Sequence, residues 1–128
     1  MNKLNSQPFI YLFFLLFSVS VFADQCPTPQ IVKDRKISRA YDWTIDERRT
    51  LNDVLSVEKL YSVRIINKSE FIACYYSLPK GNLRLDGKPE KQDCIVKTVS
   101  GHWEEVNNVE QVCKEKDLSL CRYEIKCE

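Results

Sequence analysis

The sequence predicts a small α+β domain, a mostly antiparallel β-sheet with one or two short helices, stapled by disulfides. Three observations carry that reading. Apolar and polar residues alternate along 61–65 and again along 118–127, the period of half-buried strands. A capping-box pattern, Thr44-x-x-Glu47, opens a stretch with apolar positions near helical spacing. Six cysteines follow an apolar leader, with no Cys-x-x-Cys pair among them.

The leader sets the redox compartment. Lys3 is the one charge before Phe9–Phe22, an uncharged and mostly apolar run of signal-peptide length, shorter than a membrane-spanning helix needs. Val21 and Ala23 supply small residues at the −3 and −1 positions, so cleavage before Asp24 is expected. Residues 1–23 then form a signal peptide and residues 24–128 a single secreted or periplasmic domain. The alternative is an uncleaved membrane anchor. Asp24 and Gln25 ahead of Cys26 do not suit a lipidation site, and no later stretch is apolar enough to span a bilayer. No membrane association is expected after cleavage.

Removing Lys3 leaves eighteen basic and eighteen acidic side chains, hence no net charge. Balanced charge gives no long-range field toward nucleic acid or anionic lipid, and a nucleic-acid partner is not expected. A chain of this length holds one modest core, so cross-links matter to its stability.

In chain order, Cys26-Pro27-Thr28-Pro29 reads as an extended entry and Ile31–Ile37 as a charged, exposed strand. Tyr41 and Trp43 fall on one side of the alternation that follows. Thr44 then caps a helix whose narrow apolar stripe runs through Ile45, Leu51 and Leu55. Tyr61, Val63 and Ile65 line a strand, Asn67-Lys68-Ser69 a turn, and 70–78 a second strand forming a hairpin with the first. Ile72, Cys74, Tyr76 and Leu78 share one face of it. Phe71, Ala73 and Tyr75 share the other, so both faces are rather apolar, as in a central or helix-covered strand. Asn67-Lys68-Ser69 is also a glycosylation sequon, relevant in a eukaryotic source.

Pro79–Asn82 and Asp86-Gly87-Lys88-Pro89 read as turns around a short strand at 82–85, and Lys80–Gln92 as a polar exposed loop. Strands are expected at 94–99 and 102–106, a helical turn within 107–117, and a last strand to Cys127. That strand carries Cys121, Tyr123, Ile125 and Cys127 inward.

An even cysteine count in an exported chain reads as three disulfides, and six cysteines allow 15 pairings. Zinc ligation would need a short Cys-x2–4-Cys pair, which is lacking, so no metal and no cofactor are expected. Cys121 and Cys127 in one extended strand would stand about 20 Å apart at ~3.3 Å per residue, too far to pair. Strands flanking the turn region suggest Cys74–Cys94, a short loop suggests Cys113–Cys121, and Cys26–Cys127 would join the ends.

The order Cys26-Pro27, Trp43, Cys74-Tyr75-Tyr76, Trp103, Cys113 and a closing cysteine strand resembles small exported bacterial proteins. They form a cysteine-containing domain family with no assigned function. The resemblance implies a compact, disulfide-linked secreted domain and transfers no catalytic residue.

Function is read as binding rather than catalysis. A rigid, disulfide-linked domain with aromatics among balanced charges suits a protein-interaction module, an effector or an accessory protein. Tyr41, Trp43, Tyr75 and Trp103 are the leading contact candidates, with Tyr76 and Tyr123 beside them. A secreted enzyme inhibitor presenting the Lys80–Gln92 loop is the first alternative. The second is a small hydrolase or nuclease using His102, the one histidine, with Glu104 on the same strand face. No nucleophile motif or phosphate-binding glycine loop supports that chemistry.

Overall fold

The hairpin expected from the alternation is the centre of the molecule. The computed structural model describes residues 23–128; the leader expected over 1–23 lies, except for Ala23, outside the described residues. Strand β2 (Lys59–Ile66) runs antiparallel to β3 (Phe71–Ser77), setting Val63 opposite Cys74 and Ile65 opposite Ile72. Asn67, Lys68 and Ser69 close the turn, all with positive φ. Two further strands extend the sheet past β3: β4 (Asn82–Pro89) and then β1 (Tyr41–Ile45). On the far side of β2 lie β7 (Glu110–Cys113) and β6 (Trp103–Asn107). The six strands stand in the order β1-β4-β3-β2-β7-β6, and every pairing is antiparallel. A separate two-stranded ribbon pairs β5 (Cys94–Ser100) with β8 (Arg122–Cys127). With two short helices and three disulfides, this is the disulfide-stapled α+β domain that the alternation and the cysteines predict.

One face of the large sheet holds the core. Val63, Ile65, Ile72, Cys74, Tyr76, Leu83 and Leu85 are buried there, joined by Val96 and Tyr123 of the ribbon. Burial of such side chains is worth roughly 1.5–3 kcal/mol each. The N-terminal segment crosses the same face: Asp24 bridges Tyr123 through paired backbone hydrogen bonds of 2.7 and 3.0 Å. Tyr76 Oη donates to the Pro27 carbonyl at 2.6 Å.

Several local expectations are corrected. Residues 29–34 form helix α1 (Pro29–Asp34), not a strand, because Thr28 caps it by accepting from the Ile31 amide and Pro29 opens its first turn. Thr44 caps nothing; it sits in β1 opposite Asp86. The helix starts one pattern later, as α2 (Leu51–Leu55), where Thr50 and Asp53 exchange the reciprocal bonds of a capping box. Asp86-Gly87-Lys88-Pro89 is the second half of β4 rather than a turn, so Lys80–Gln92 is mostly strand, not an exposed loop. Gly87 pairs with Trp43 on one side and Ile72 on the other. Residues 107–117 hold a hairpin turn and β7 instead of a helical turn, and a short 3-10 helix follows at Leu118–Leu120.

The disulfides are Cys26–Cys74, Cys94–Cys127 and Cys113–Cys121, with no free cysteine among the described residues. The Cys113–Cys121 pairing is the expected one. Cys26–Cys127 and Cys74–Cys94 are not formed. Cys74 lies mid-sheet on the core face, where the N-terminal segment passes, so it takes Cys26. Cys94 stands directly opposite Cys127 in the ribbon. For the same reason Cys127 is exposed at the ribbon's end and not inward. Three such bonds suit an oxidising extracellular or periplasmic environment. No helix among the described residues is long and apolar enough to cross a membrane.

Candidate functional site

The second face of the large sheet is the one the sequence left ambiguous. Alternation puts Phe71, Ala73 and Tyr75 of β3 on it, with Arg64 of β2 beside Ala73 and Arg84 of β4 beside Tyr75. Instead of a helix, two guanidiniums lie over the aromatic rings. Arg84 Cζ stands 5.5 Å from the Tyr75 centroid and 5.6 Å from that of Phe71. Arg64 Cζ stands 5.7 Å from Tyr75 on its other flank. Tyr61 packs against Tyr75 with centroids 6.0 Å apart. Ala73 is wholly buried beneath this layer, whereas Phe71, Tyr75, Arg64 and Arg84 remain half-exposed.

Each arginine is held by a carboxylate on the same face. Arg84 Nε donates to Asp86 Oδ1 at 2.7 Å, and Arg64 Nη1 to Glu110 Oε1 at 3.2 Å. The result is a layer of arginines, aromatic rings and carboxylates in which each of the two cations is paired with an anion. Partial burial pushes the Tyr75 phenol up, and the two guanidiniums pull it partly back. Such a layer offers stacking surface and fixed hydrogen-bond donors, with its two carboxylates engaged by the arginines.

The other predicted residues are dispersed. Tyr41 and Trp43 are neighbours at 5.2 Å between ring centroids, but on the core face at the β1 end. Tyr41 is buried, its Oη donating to Asp24 Oδ2 at 2.6 Å; Trp43 is half-buried, its Nε1 donating to the Ser38 carbonyl. They border a cleft of about 480 Å3 between α1, α2 and β4, floored by Leu83 and Leu85. Tyr76 and Tyr123 are wholly buried and offer no outer contact surface. Trp103 opens the edge strand β6, half-buried, and donates to the Ser100 carbonyl.

His102 and Glu104 do meet, with Nε2 and Oε2 2.8 Å apart. Their side chains are 65% and 52% exposed, so water screens the pair. Among the described residues no three His, Cys, Asp or Glu side chains converge as a metal-ligand set. Arg64, Arg84, Tyr61 and Phe71 were not singled out by the sequence. Their signal was present in the apolar second face of 70–78 and in arginines at alternating strand positions.

No protein-family model, curated protein or solved structure matches this chain.

Proposed function

We propose that this protein is exported by cleavage of its leader before Asp24 and acts as a binding module. It engages a protein partner through the open sheet face centred on Tyr75. One observation carries the reading: a half-exposed layer of Tyr75, Tyr61 and Phe71 is interleaved with Arg64 and Arg84 on the face opposite the core. Tyrosine and arginine are enriched among the few residues that carry most of the binding energy at protein interfaces. Here the arginine forks are already oriented by Asp86 and Glu110. The disulfides fix the strands that present them, which reduces the ordering cost of association.

The experiment is capture of the partner by oxidised protein, compared with Tyr75→Ala and Arg84→Glu. Each substitution weakens capture about tenfold or more if this face is the contact, as expected for central aromatic and arginine anchors. Undiminished capture by both folded variants would discard the reading.

The inhibitor alternative loses its presenting loop, since residues 82–89 are strand. The hydrolytic alternative keeps one favourable feature, the 2.8 Å contact between His102 and Glu104. If His102→Ala abolishes a measured hydrolase or nuclease turnover, catalysis replaces binding as the better reading.

A further inference from the structure

The 480 Å3 cleft beside Trp43 is walled by apolar side chains. Val32 of α1, Leu51 and Val54 of α2, Trp43 of β1, and Leu83 and Leu85 of β4 line it. Leu51 is 53% exposed, and Val54 and Trp43 are half-buried. Apolar surface therefore stands open around a volume of small-molecule size.

Four charged residues line the same cleft: Arg35, Arg39, Asp42 and Glu90. Asp42 alternates with Tyr41 and Trp43 along β1 and stands opposite Lys88, so its side chain belongs to the other face of the sheet. Both arginines lie on the connection from α1 to β1. Arg35 ends α1 in a left-handed conformation (φ 56°), and Arg39 lies in the turn before Tyr41. Lys36 adds a third cation to this connection, and residues 35–41 contain no acid. Arg48, Arg64 and Arg84 each hold a carboxylate, whereas Arg35 and Arg39 form no ion pair among the described residues. Glu90 is thus the one anion facing these cations, and the mouth of an apolar cleft is left net positive.

We infer that this cleft binds a small apolar carboxylate, its hydrocarbon against Trp43 and Leu51 and its head group at the mouth, in the field of Arg35 and Arg39. Guanidinium groups stay charged at any physiological pH and match a carboxylate in shape. A neutral molecule would use the apolar walls alone, and an ammonium would meet like charges. Both arginines are exposed, so the head group keeps part of its water. The apolar walls then supply most of the affinity, and the arginines supply the preference for an anion. The cleft lies on the core-face side of the sheet and stands whether or not the Tyr75 face binds a protein.

The test uses oxidised protein carrying Trp103→Phe, which leaves Trp43 as the sole tryptophan. Trp43 emission is followed during titration with octanoate, 1-octanol and octylammonium at low ionic strength. Saturable binding of octanoate, tighter than either other probe, is expected. Arg35→Gln and Arg39→Gln together weaken octanoate about fivefold, the worth of two exposed charge contacts, and leave 1-octanol unchanged. Added salt narrows the same preference. Leu51→Asp, at an exposed position, puts a charge on the apolar wall and abolishes octanoate binding without touching the core. Tyr75→Ala leaves all three titrations as they were. No saturable response to octanoate overturns the inference. Equal or tighter binding of 1-octanol or octylammonium overturns it too, as does an undiminished preference for octanoate in the double arginine variant.

Discussion

Gly87 lies directly beneath the indole of Trp43. A Cβ added to Gly87 would stand 2.6 Å from ring atom Cζ3 and 2.8 Å from Cε3 and Cη2. A glycine in mid-strand thus serves a close approach, the ring covering bare backbone at the sheet's β1 edge. Gly87→Ala is expected to destabilise the domain by about 1–3 kcal/mol, as overpacking does. The check is a double-mutant cycle with Trp43→Ala. Removing the ring should erase most of the cost of the added methyl, and an undiminished cost would locate the strain elsewhere.

The three disulfides differ in access. Cys26, Cys74, Cys113 and Cys121 are each at most 5% exposed, whereas Cys127 is exposed and Cys94 half-exposed. Reduction requires a thiolate to reach a sulfur, so the Cys94–Cys127 bond should open first under limiting dithiothreitol. Alkylation with mass mapping should then label Cys94 and Cys127 alone, with the fold retained, since β5 and β8 remain paired beyond that bond. Simultaneous labelling of all six cysteines would contradict this order.

Tyr76 and Tyr123 are both wholly buried, yet their hydroxyls differ in partnership. Tyr76 donates to Pro27, and Tyr123 finds no protein acceptor among the described residues. Tyr76→Phe should cost about 1–3 kcal/mol because it strands the Pro27 carbonyl. Tyr123→Phe should be nearly neutral. Denaturant midpoints of the two variants measure the contrast directly, and equal losses would refute it.

The strands were legible in the sequence where one face is buried and the other wet. The period of two at Val63 and Ile65, and again at Ile72, Cys74 and Tyr76, is the core face of β2 and β3; Tyr61, at the bulge between Leu60 and Ser62, instead packs against Tyr75 on the other face. What misled was local chemistry with two readings. Thr44-x-x-Glu47 and Thr50-x-x-Asp53 both satisfy a capping pattern, and only tertiary pairing of β1 with β4 decides between them. Asp86-Gly87 looks like a turn until Trp43 is seen to need the glycine. The Cys26–Cys74 bond depends on a long-range crossing of the N-terminal segment over the sheet, which spacing cannot encode. The Tyr75 layer was half legible: the apolar second face stood out, but the arginines covering it come from two other strands.

Alkaline pH offers the last test, because buried phenols dominate the core. Burial pushes Tyr76 and Tyr123 well above the ordinary phenol value, and Asp24 adds to the effect at Tyr123. Tyr41 is raised by burial and then by its hydrogen bond to Asp24. In the unfolded chain these groups lose their protons near pH ~10. Above that pH the folded state therefore binds more protons than the unfolded state, and stability falls as pH rises. Below it the three phenols contribute no pH dependence. Each fully retained proton steepens the loss by about 1.4 kcal/mol per pH unit. Phenolate absorbance from these residues should appear only together with the loss of far-ultraviolet circular dichroism, as one cooperative transition. Tyr123→Phe should make the alkaline decline shallower by roughly one proton's worth. Ionisation of the buried tyrosines in a still-folded protein, or an unchanged slope in Tyr123→Phe, would show that the core does not hold these protons.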